Sequence, residues 1–350
     1  MIPKKFGNLK LFNHRPTIIA EVGVNHNCNL SLAKKYVKLC KNAGADAVKF
    51  QTYKAGKIAS KFSPAYWDLK EEKTKSQYNL FKKYDKFNYN EYKALFKECK
   101  KLKISYMSTF FDTNTIDQQY NLVEVFKVSS SDINNVPLLK KISSKKKHTI
   151  ISTGASTIEE IKFALKILNL PKNKICLMHC VLNYPTEDKF ANLKFIKTLK
   201  KKFPNILIGY SDHVRSDENI TQLQVAFEMG AQIIEKHFTH NKKLKGNDHY
   251  HAMDSNNLKN FLNIMERKKV LSGSIKKKLT NEYKSIMYAR RAIYAKCNIQ
   301  KSKIINSQDI IPLRPAIGGI SVSNWNKIIG KKIKVSLKEG DILKKKYFNF

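Results

Sequence analysis

Residues 206–240, ILIGYSDHVRSDENITQLQVAFEMGAQIIEKHFTH, decide how the rest of the chain reads. An apolar run, Ile206 to Ile208, breaks at Gly209 and leads into Ser211-Asp212-His213. Ile220, Leu223, Val225, Ala226, Phe227 and Met229 then recur at helical spacing, and Gly230 supplies a helix stop. A second apolar run, Ile233-Ile234, ends in Glu235-Lys236-His237. The unit reads as strand, helix, strand, with a histidine at the end of each strand. Consecutive strands of a parallel α/β unit lie side by side and point the same way, so His213 and His237 are expected at one rim. Two converging imidazoles suit a divalent metal, although either alone also serves as a hydrogen-bonding strand cap.

The same alternation runs through the chain. A strand at Thr17–Val22 is followed by the loop Gly23–Asn27 and a helix to Ala43, with Ser31 as the expected N-cap and Gly44 closing it. Strands follow at 45–50, 104–109, 123–128, 149–151 and 175–178, separated by helical patterns near 89–102, 115–121, 135–143, 157–168 and 192–202. A last helix lies near 255–266. Eight strand–helix repeats are the count of a (β/α)8 TIM barrel. A doubly wound sheet is the competing α/β class, but no GxGxxG follows the first strand. Residues 52–88, aromatic and lysine-rich, interrupt the pattern as a long insertion of the kind that serves as a lid or substrate loop.

The barrel is expected over residues 1–266, followed by a polar linker with some helix at 267–289. From 290 to 350, short β-like runs and turn signals (RRAIYAKCNI, IIPLRPAIGGISV, KKIKVSLKEGDIL) indicate a small, separately folded β-rich domain.

Composition narrows the class of function. No apolar run approaches a membrane span, and MIPKKFGNLKLFNHR lacks a signal-peptide core, so a cytoplasmic protein is expected. The six cysteines have no paired spacing and read as free thiols. A net charge of +38 invites nucleic acid, yet arginine occurs only at 15, 215, 267, 290, 291 and 314. Arginine is the residue favoured for bidentate phosphate and base recognition, and the lysines here are spread over helix faces. Composition bias explains the charge better than nucleic-acid binding does.

In a barrel the chemistry sits where strands end. The polar residues at those ends are Glu21, Lys49, Gln51, Thr109, Lys127, Ser130, Ser152, Tyr184, Ser211, His213 and His237. A single serine or threonine there is more often a strand terminator or cap. Lys49 and Lys127 weigh more, because each is embedded in an apolar run (AVKF, VFKV) where a buried ammonium needs an anion. Two lysines ringed by hydroxyls make a phosphate or carboxylate site. The histidines make a metal site able to polarise a carbonyl, and Glu21 is the natural general base or water-positioning carboxylate. The implied reaction joins an anionic phosphorylated substrate to a carbonyl compound with the help of a metal.

The stretches IIAEVGVNHN, ADAVKFQTY, STFFD, KVSSSD, ISTGAST, HCVLNYPT, IGYSDH, EKHFT and GNDHYHAMD, taken in order, resemble the N-acetylneuraminate (sialic acid) synthase family over nearly the whole chain. RRAIYAKCNI and LRPAIGGIS resemble that family's C-terminal antifreeze-like (SAF) domain, of β-clip type. The resemblance implies condensation of phosphoenolpyruvate (PEP) with an N-acetylmannosamine-type aldehyde and water to give a nine-carbon 2-keto sugar acid and phosphate. It implies a divalent metal, Mn²⁺ first and Mg²⁺ or Co²⁺ as alternatives, on His213 and His237. Lys49, Thr109, Lys127, Ser130, Ser152 and Ser211 match PEP-binding positions, and Glu21 matches the residue that positions or deprotonates the attacking water. Gln51, Tyr184 and Asp248 match sugar contacts, and Arg314 matches an arginine that reaches a partner's barrel in a domain-swapped homodimer.

Departures from the family pattern fall at Leu182, which stands where a small polar residue is common, at Ser131 and at Phe110. His249 and His251 read as sugar contacts or plain loop residues, with the latter favoured for His251. Two other readings compete. Another PEP-condensing barrel acting on a sugar phosphate needs extra cations and no C-terminal domain, and a lysine-rich nucleic-acid binder leaves the strand-end residues unexplained.

Overall fold

In the computed structural model, which describes residues 3–246 and 248–349, the chain divides into two compact units, Met1–Ser272 and Gly273–Phe350. The first opens with a hairpin, β1 (Lys5–Phe6) and β2 (Leu9–Lys10). Eight parallel strands then close a barrel: β3 (Thr17–Gly23), β4 (Ala47–Thr52), β5 (Ser105–Phe110), β6 (Val125–Val128), β7 (His148–Ser152), β8 (Ile175–Cys180), β9 (Leu207–Asp212) and β10 (Ile233–His237). Neighbours in sequence are neighbours in the wall, and β10 completes the ring by pairing with both β9 and β3.

The connecting helices are α1 (Leu30–Ala43), α2 (Ala55–Ile58), α3 (Gln77–Tyr84), α4 (Tyr89–Lys101), α5 (Thr113–Gln119), α6 (Val136–Ser144), α7 (Ile158–Leu168), α8 (Phe195–Lys202), α9 (Thr221–Met229) and α10 (Ser255–Ser272). Asn29, not Ser31, caps α1: its side chain accepts from the Leu32 amide at 2.9 Å, which puts Ser31 inside the first turn. The insertion contributes α2 and α3, tied by a bridge between Pro64 and Ser76. The helix expected to end near 266 continues to Ser272, so the first six residues of the segment read as linker belong to it.

Strand parity separates two cores. Ile18, Ala20, Val48, Phe50, Phe126, Ile151, Leu177 and Ile234 point outward and pack under the helices. Ile19, Ala47, Met107, Val125, Ile150, Cys176, Met178 and Ile233 form a second cluster with Phe6, Leu9 and Leu11 of the hairpin. Side chains alternate along a strand with period two. Two residues beyond Ile19, Ala47, Met107, Val125, Ile150, Met178 and Ile233 lies a position facing the same lumen, nearer the C-terminal rim. Those positions hold Glu21, Lys49, Thr109, Lys127, Ser152, Cys180 and Glu235. The barrel interior is therefore apolar at one end and polar at the other.

The second unit contains α11 (Tyr283–Ala289), the antiparallel pair β11 (Ala292–Ala295) and β12 (Ile310–Leu313), and α12 (Trp325–Ile328). Ile293, Ile299, Ile305, Ile310, Ile320, Ile328, Ile333 and Leu343 form its own core. Isolated bridges, such as Tyr294 to Ile342 and Ile299 to Leu337, extend its β character.

Candidate active site

The polar rim opens into a cavity lined by Glu21, Lys49, Gln51, Thr109, Lys127, Ser130, Ser152, Tyr184, Ser211, His213, His237 and Asp248. All twelve residues expected in the barrel converge there. Arg314, the remaining one, belongs to the second unit, exposed just after β12.

The floor is an ionic cluster. Lys49 Nζ lies 2.8 Å from Glu21 Oε2, donates to Thr109 Oγ1 at 2.7 Å, and lies 3.5 Å from Glu235 Oε1. Lys127 Nζ sits at 3.5 Å from the same Glu235 oxygen, to which Ser211 Oγ donates at 3.4 Å. Burial alone would push Glu235 up, but Lys127 and Lys49 hold its carboxyl below the ordinary value. Burial outweighs the attractions at Glu21, with Glu235 adding repulsion, so its pKa is raised. The two carboxyls thus differ in character: Glu235 is locked as a counter-ion, and Glu21 is poised to exchange a proton. Burial lowers the Lys127 pKa, whereas the paired carboxylates offset burial at Lys49 and raise it. Ser152 Oγ is buried with no hydrogen-bond partner among the described residues, and Ser130 Oγ accepts from the Gly154 amide at 2.9 Å.

A third carboxyl group, that of Asp248, approaches from the loop after β10. Gln51 Nε2 donates to Glu21 Oε1 at 2.9 Å, and Gly23 brings the chain past this pair. A Cβ on Gly23 would meet Asp248 Oδ2 at 3.1 Å, Gln51 Nε2 at 3.3 Å and Glu21 Oε1 at 3.4 Å, and its φ of +57° also favours glycine. Gly154 is needed for similar reasons, since a Cβ there would meet Ser130 Oγ at 2.8 Å.

The histidines stand as the sequence implied. His213 and His237 have ring centroids 5.6 Å apart, and Tyr184 lies 4.0 Å over His213. His213 Nδ1 donates to the Val181 carbonyl at 2.7 Å, which leaves Nε2 as the ring's free position. His251, favoured above as a plain loop residue, is instead fully buried with its ring 4.8 Å from His237. Donor atoms of His237, Asp248 and His251 all lie within 4.8 Å of one another. His237 Nδ1 and both His251 nitrogens are buried without a hydrogen-bond partner among the described residues. Burial, reinforced by the neighbouring imidazoles, holds both rings far below the ordinary histidine pKa, and burial with Glu21 nearby pushes Asp248 up to about 7. Buried nitrogen lone pairs with no donor are costly, and a divalent cation would satisfy them. The donor set fits a metal.

Sequence reasoning passed over Glu235 and Cys180 and favoured a plain loop role for His251. Two of them carried a signal: Glu235 is two residues before His237, and Cys180 two after Met178, so parity puts both in the lumen. His251 lies on a loop, where no periodicity applies.

A profile of the NeuB family matches residues 36–277, and a SAF domain profile matches residues 290–348. The chain belongs to the NeuB family. Among NeuB relatives, N,N'-diacetyllegionaminic acid synthase of Campylobacter jejuni is 36% identical over 334 residues, covering 93% of this chain and 98% of the relative. The protein of that name from Legionella pneumophila is 37% identical over 335 residues, covering 93% and 92%. The crystal structure of N-acetylneuraminic acid (sialic acid) synthetase from Leptospira borgpetersenii in complex with citrate superposes with a TM-score of 0.66 at 32% identity, covering 81% of this chain and 94% of that one. Among the described residues, no helix is long and apolar enough to cross a membrane.

Proposed function

We propose that this NeuB-family chain condenses PEP with an N-acylated mannosamine-type aldehyde and water, giving a nine-carbon 2-keto sugar acid and phosphate. The observation that carries the reading is the floor of the barrel, where Lys49 and Lys127 flank Glu235 beneath a rim of hydroxyls. The cations are already desolvated and held around one point by Glu21 and Glu235, so an anion beneath the hydroxyl rim meets fixed donors in place of mobile water. Lys49, Thr109, Lys127, Ser130, Ser152 and Ser211 would hold PEP. Gln51, Tyr184 and Asp248 would hold the sugar, whose aldehyde carbon then faces C3 of PEP.

His237 and His213, with Asp248 and His251 beside them, would hold the metal, Mn²⁺ in our reading. When bound, the ion supplies Lewis acidity toward the aldehyde oxygen. C3 of PEP forms the new bond to the aldehyde carbon, and the positive charge left at C2 is met by water. Glu21, with its raised pKa and its fixed position against Gln51 and Lys49, takes a proton from that water. The C2–O bond to phosphate then breaks and leaves the ketone. One water proton ends on the new hydroxyl, the other on phosphate, and the atoms balance.

Arg314 is assigned to the sugar, delivered by a partner in a swapped homodimer. Support comes from Val270 and Leu271 at the end of α10 and from Ile275 just after it, which are 70%, 73% and 107% exposed and call for a cover. We place the protein in the cytoplasm, where PEP is available.

The test is phosphate release from PEP with a panel of N-acylated aldehyde sugars, with Mn²⁺ or with EDTA, together with product mass. Metal-dependent release and a mass equal to the condensed keto acid are expected. Release without an aldehyde, or none with any member of the panel, would refute the proposal.

A further inference from the structure

Arginine is scarce in this chain, and one guanidinium, that of Arg215, links loops around the mouth of the barrel. Arg215 lies in the loop after β9, two residues past His213. Its Nη2 sits 3.2 Å from Glu71 Oε1, and its Cζ lies 5.2 Å from the centre of the Tyr250 ring, in the loop after β10. Tyr250 Oη donates to the Tyr184 carbonyl at 2.7 Å, and Tyr184 covers His213 at 4.0 Å. One side chain therefore joins the insertion at 52–88, which leaves β4, to the loops beside the site histidines. Among the described residues, Glu71–Arg215 is the one ion pair between the insertion and the rest of the chain.

The insertion is held at both ends. At its base Lys54 Nζ donates to the carbonyls of Asp85 and Phe87 at 2.7 and 3.1 Å, and Asp85 Oδ2 accepts from the Ala55 amide at 3.1 Å. Farther out it packs on itself. Trp67 Nε1 donates to the carbonyls of Glu72 and Thr74, both at 3.1 Å, and Asp68 Oδ1 accepts from the Lys70 amide at 2.9 Å, fixing the turn that presents Glu71. Ile58, Tyr66, Phe81 and Tyr84 of the insertion face the main cavity, which Arg215 itself does not line. The side chains of Arg215 and Glu71 are 58% and 35% exposed, so water and salt screen the pair, and it biases closure by no more than about fivefold. A clasp that weak can open and close within a turnover. A guanidinium suits the double duty, because its flat face can lie on the Tyr250 ring while its edge meets a carboxylate, and an ammonium has no such face.

We infer that Arg215 is a positioning residue, which clasps the insertion over the cavity through Glu71 and steadies Tyr184 over His213 through Tyr250. The role rests on the condensation proposed above, in which Tyr184 holds the sugar and PEP lies on the floor among Lys49, Lys127 and their hydroxyls. The sugar, not PEP, therefore feels the loss of the clasp.

The test joins two measurements on the full chain. Hydrogen–deuterium exchange read by mass spectrometry follows residues 63–77, and phosphate release from PEP is followed with Mn²⁺ and the panel sugar that the wild type turns over fastest. Arg215→Ala and, separately, Glu71→Gln should speed exchange at 63–77 by about two- to fivefold while α4 is unaltered. The charge swap of Glu71→Arg with Arg215→Glu should slow it again. Arg215→Ala should raise the KM for the sugar by about three- to tenfold and leave kcat and the KM for PEP within about twofold, with Arg215→Lys between it and the wild type. Tyr250→Phe cuts the other arm, so it should raise the KM for the sugar and leave exchange at 63–77 as it was. Unchanged exchange in both Arg215→Ala and Glu71→Gln would overturn the clasp, whatever the activity. An unchanged KM for the sugar in Arg215→Ala would overturn the positioning role. No release with any sugar would sink the condensation, and with it the positioning role, while the exchange data would still decide the clasp.

Discussion

Replacing Lys236 with methionine probes how the two site histidines are held in place. Lys236 and Asp212 face each other across β10 and β9, outside the lumen, with both side chains fully buried and Nζ 2.5 Å from Oδ2. Burial lowers the Lys236 pKa, and Asp212 works against it. Asp212 also accepts from Tyr210 Oη at 2.7 Å, the Val214 amide at 3.0 Å and Gln222 Nε2 of α9 at 3.0 Å. Lys236 also donates to the Val214 carbonyl at 2.7 Å. The pair therefore ties β9, β10 and α9 together one residue before His213 and one before His237. Removing one partner of a buried ion pair costs about 3–5 kcal/mol, because the other charge stays behind uncompensated. The three hydrogen bonds left on Asp212 place Lys236→Met near the lower end of that range. The double variant with Asp212→Asn removes the stranded carboxylate, so its cost should fall short of the sum of the singles by about 2 kcal/mol. Urea unfolding followed by circular dichroism gives the three values, and Mn²⁺ titration of the folded variants should show weakened binding. Strictly additive costs, or Lys236→Met within about 0.5 kcal/mol of wild type, would refute the reasoning.

Other outcomes follow from the site. Glu21→Gln should lower kcat by about 10²–10⁴ with the KM for PEP little changed, since it removes the proton acceptor and keeps the contact to Gln51; an unaltered kcat in phosphate release would take Glu21 out of the chemistry. His251→Ala should weaken Mn²⁺ binding by about tenfold or more in calorimetry without unfolding the barrel, and an unchanged affinity would return His251 to the role of a loop residue. His26 packs against Phe87 with ring centroids 4.6 Å apart, and burial lowers its pKa to about 4, against 6.5 for the ordinary group. The unfolded chain binds that proton first as pH falls, so the stabilisation is full above pH 6.5 and drains toward pH 4, by about 3 kcal/mol. Urea midpoints of wild type and His26→Gln should therefore converge at low pH, and parallel curves would contradict the assignment. Mixing His237→Ala with Arg314→Ala subunits should restore about one quarter of wild-type activity, because half the dimers are hybrids and each hybrid has one site without a lesion. No recovery after confirmed subunit exchange would place Arg314 in its own barrel or outside the site.

The barrel was legible because its strands and helices differ in period and alternate from Thr17 to Met265, broken only by the insertion at 52–88. Edges were less so. The expected strand at 175–178 runs to Cys180, and that at 206–208 is Leu207–Asp212. Apolar patterning fades where a strand enters the polar half of the lumen, but the ladder's hydrogen bonds continue, so the strands outlast their hydrophobic signature. The same fading made the site visible, since a lysine inside AVKF or VFKV has to face something that pays for it.

What escaped the sequence was of two kinds, and they differ in principle. Glu235 was readable by counting: Ile233 belongs to the inner cluster, so Glu235 and His237 share its direction, and a strand bringing a histidine to the rim brings its i−2 neighbour to the floor. Counting also explains why Glu235 must be an acid, because Lys49 and Lys127 occupy the corresponding layer of β4 and β6 and two buried ammonium groups need a shared counter-charge. His251 and Asp248 were not readable in that way. They lie on the loop after β10, and their approach to His237 depends on how that loop folds back, with the Met253 amide bonded to the His237 carbonyl at 2.8 Å and the Thr239 amide to the Met253 carbonyl at 2.9 Å. Those two hydrogen bonds, not any sequence period, carry His251 onto the histidine of the strand. The floor that receives an anion is thus written in strand parity, whereas the rim that receives the metal and the sugar is written in loop geometry, and it is at the rim that relatives sharing this barrel can differ in the acceptor they take.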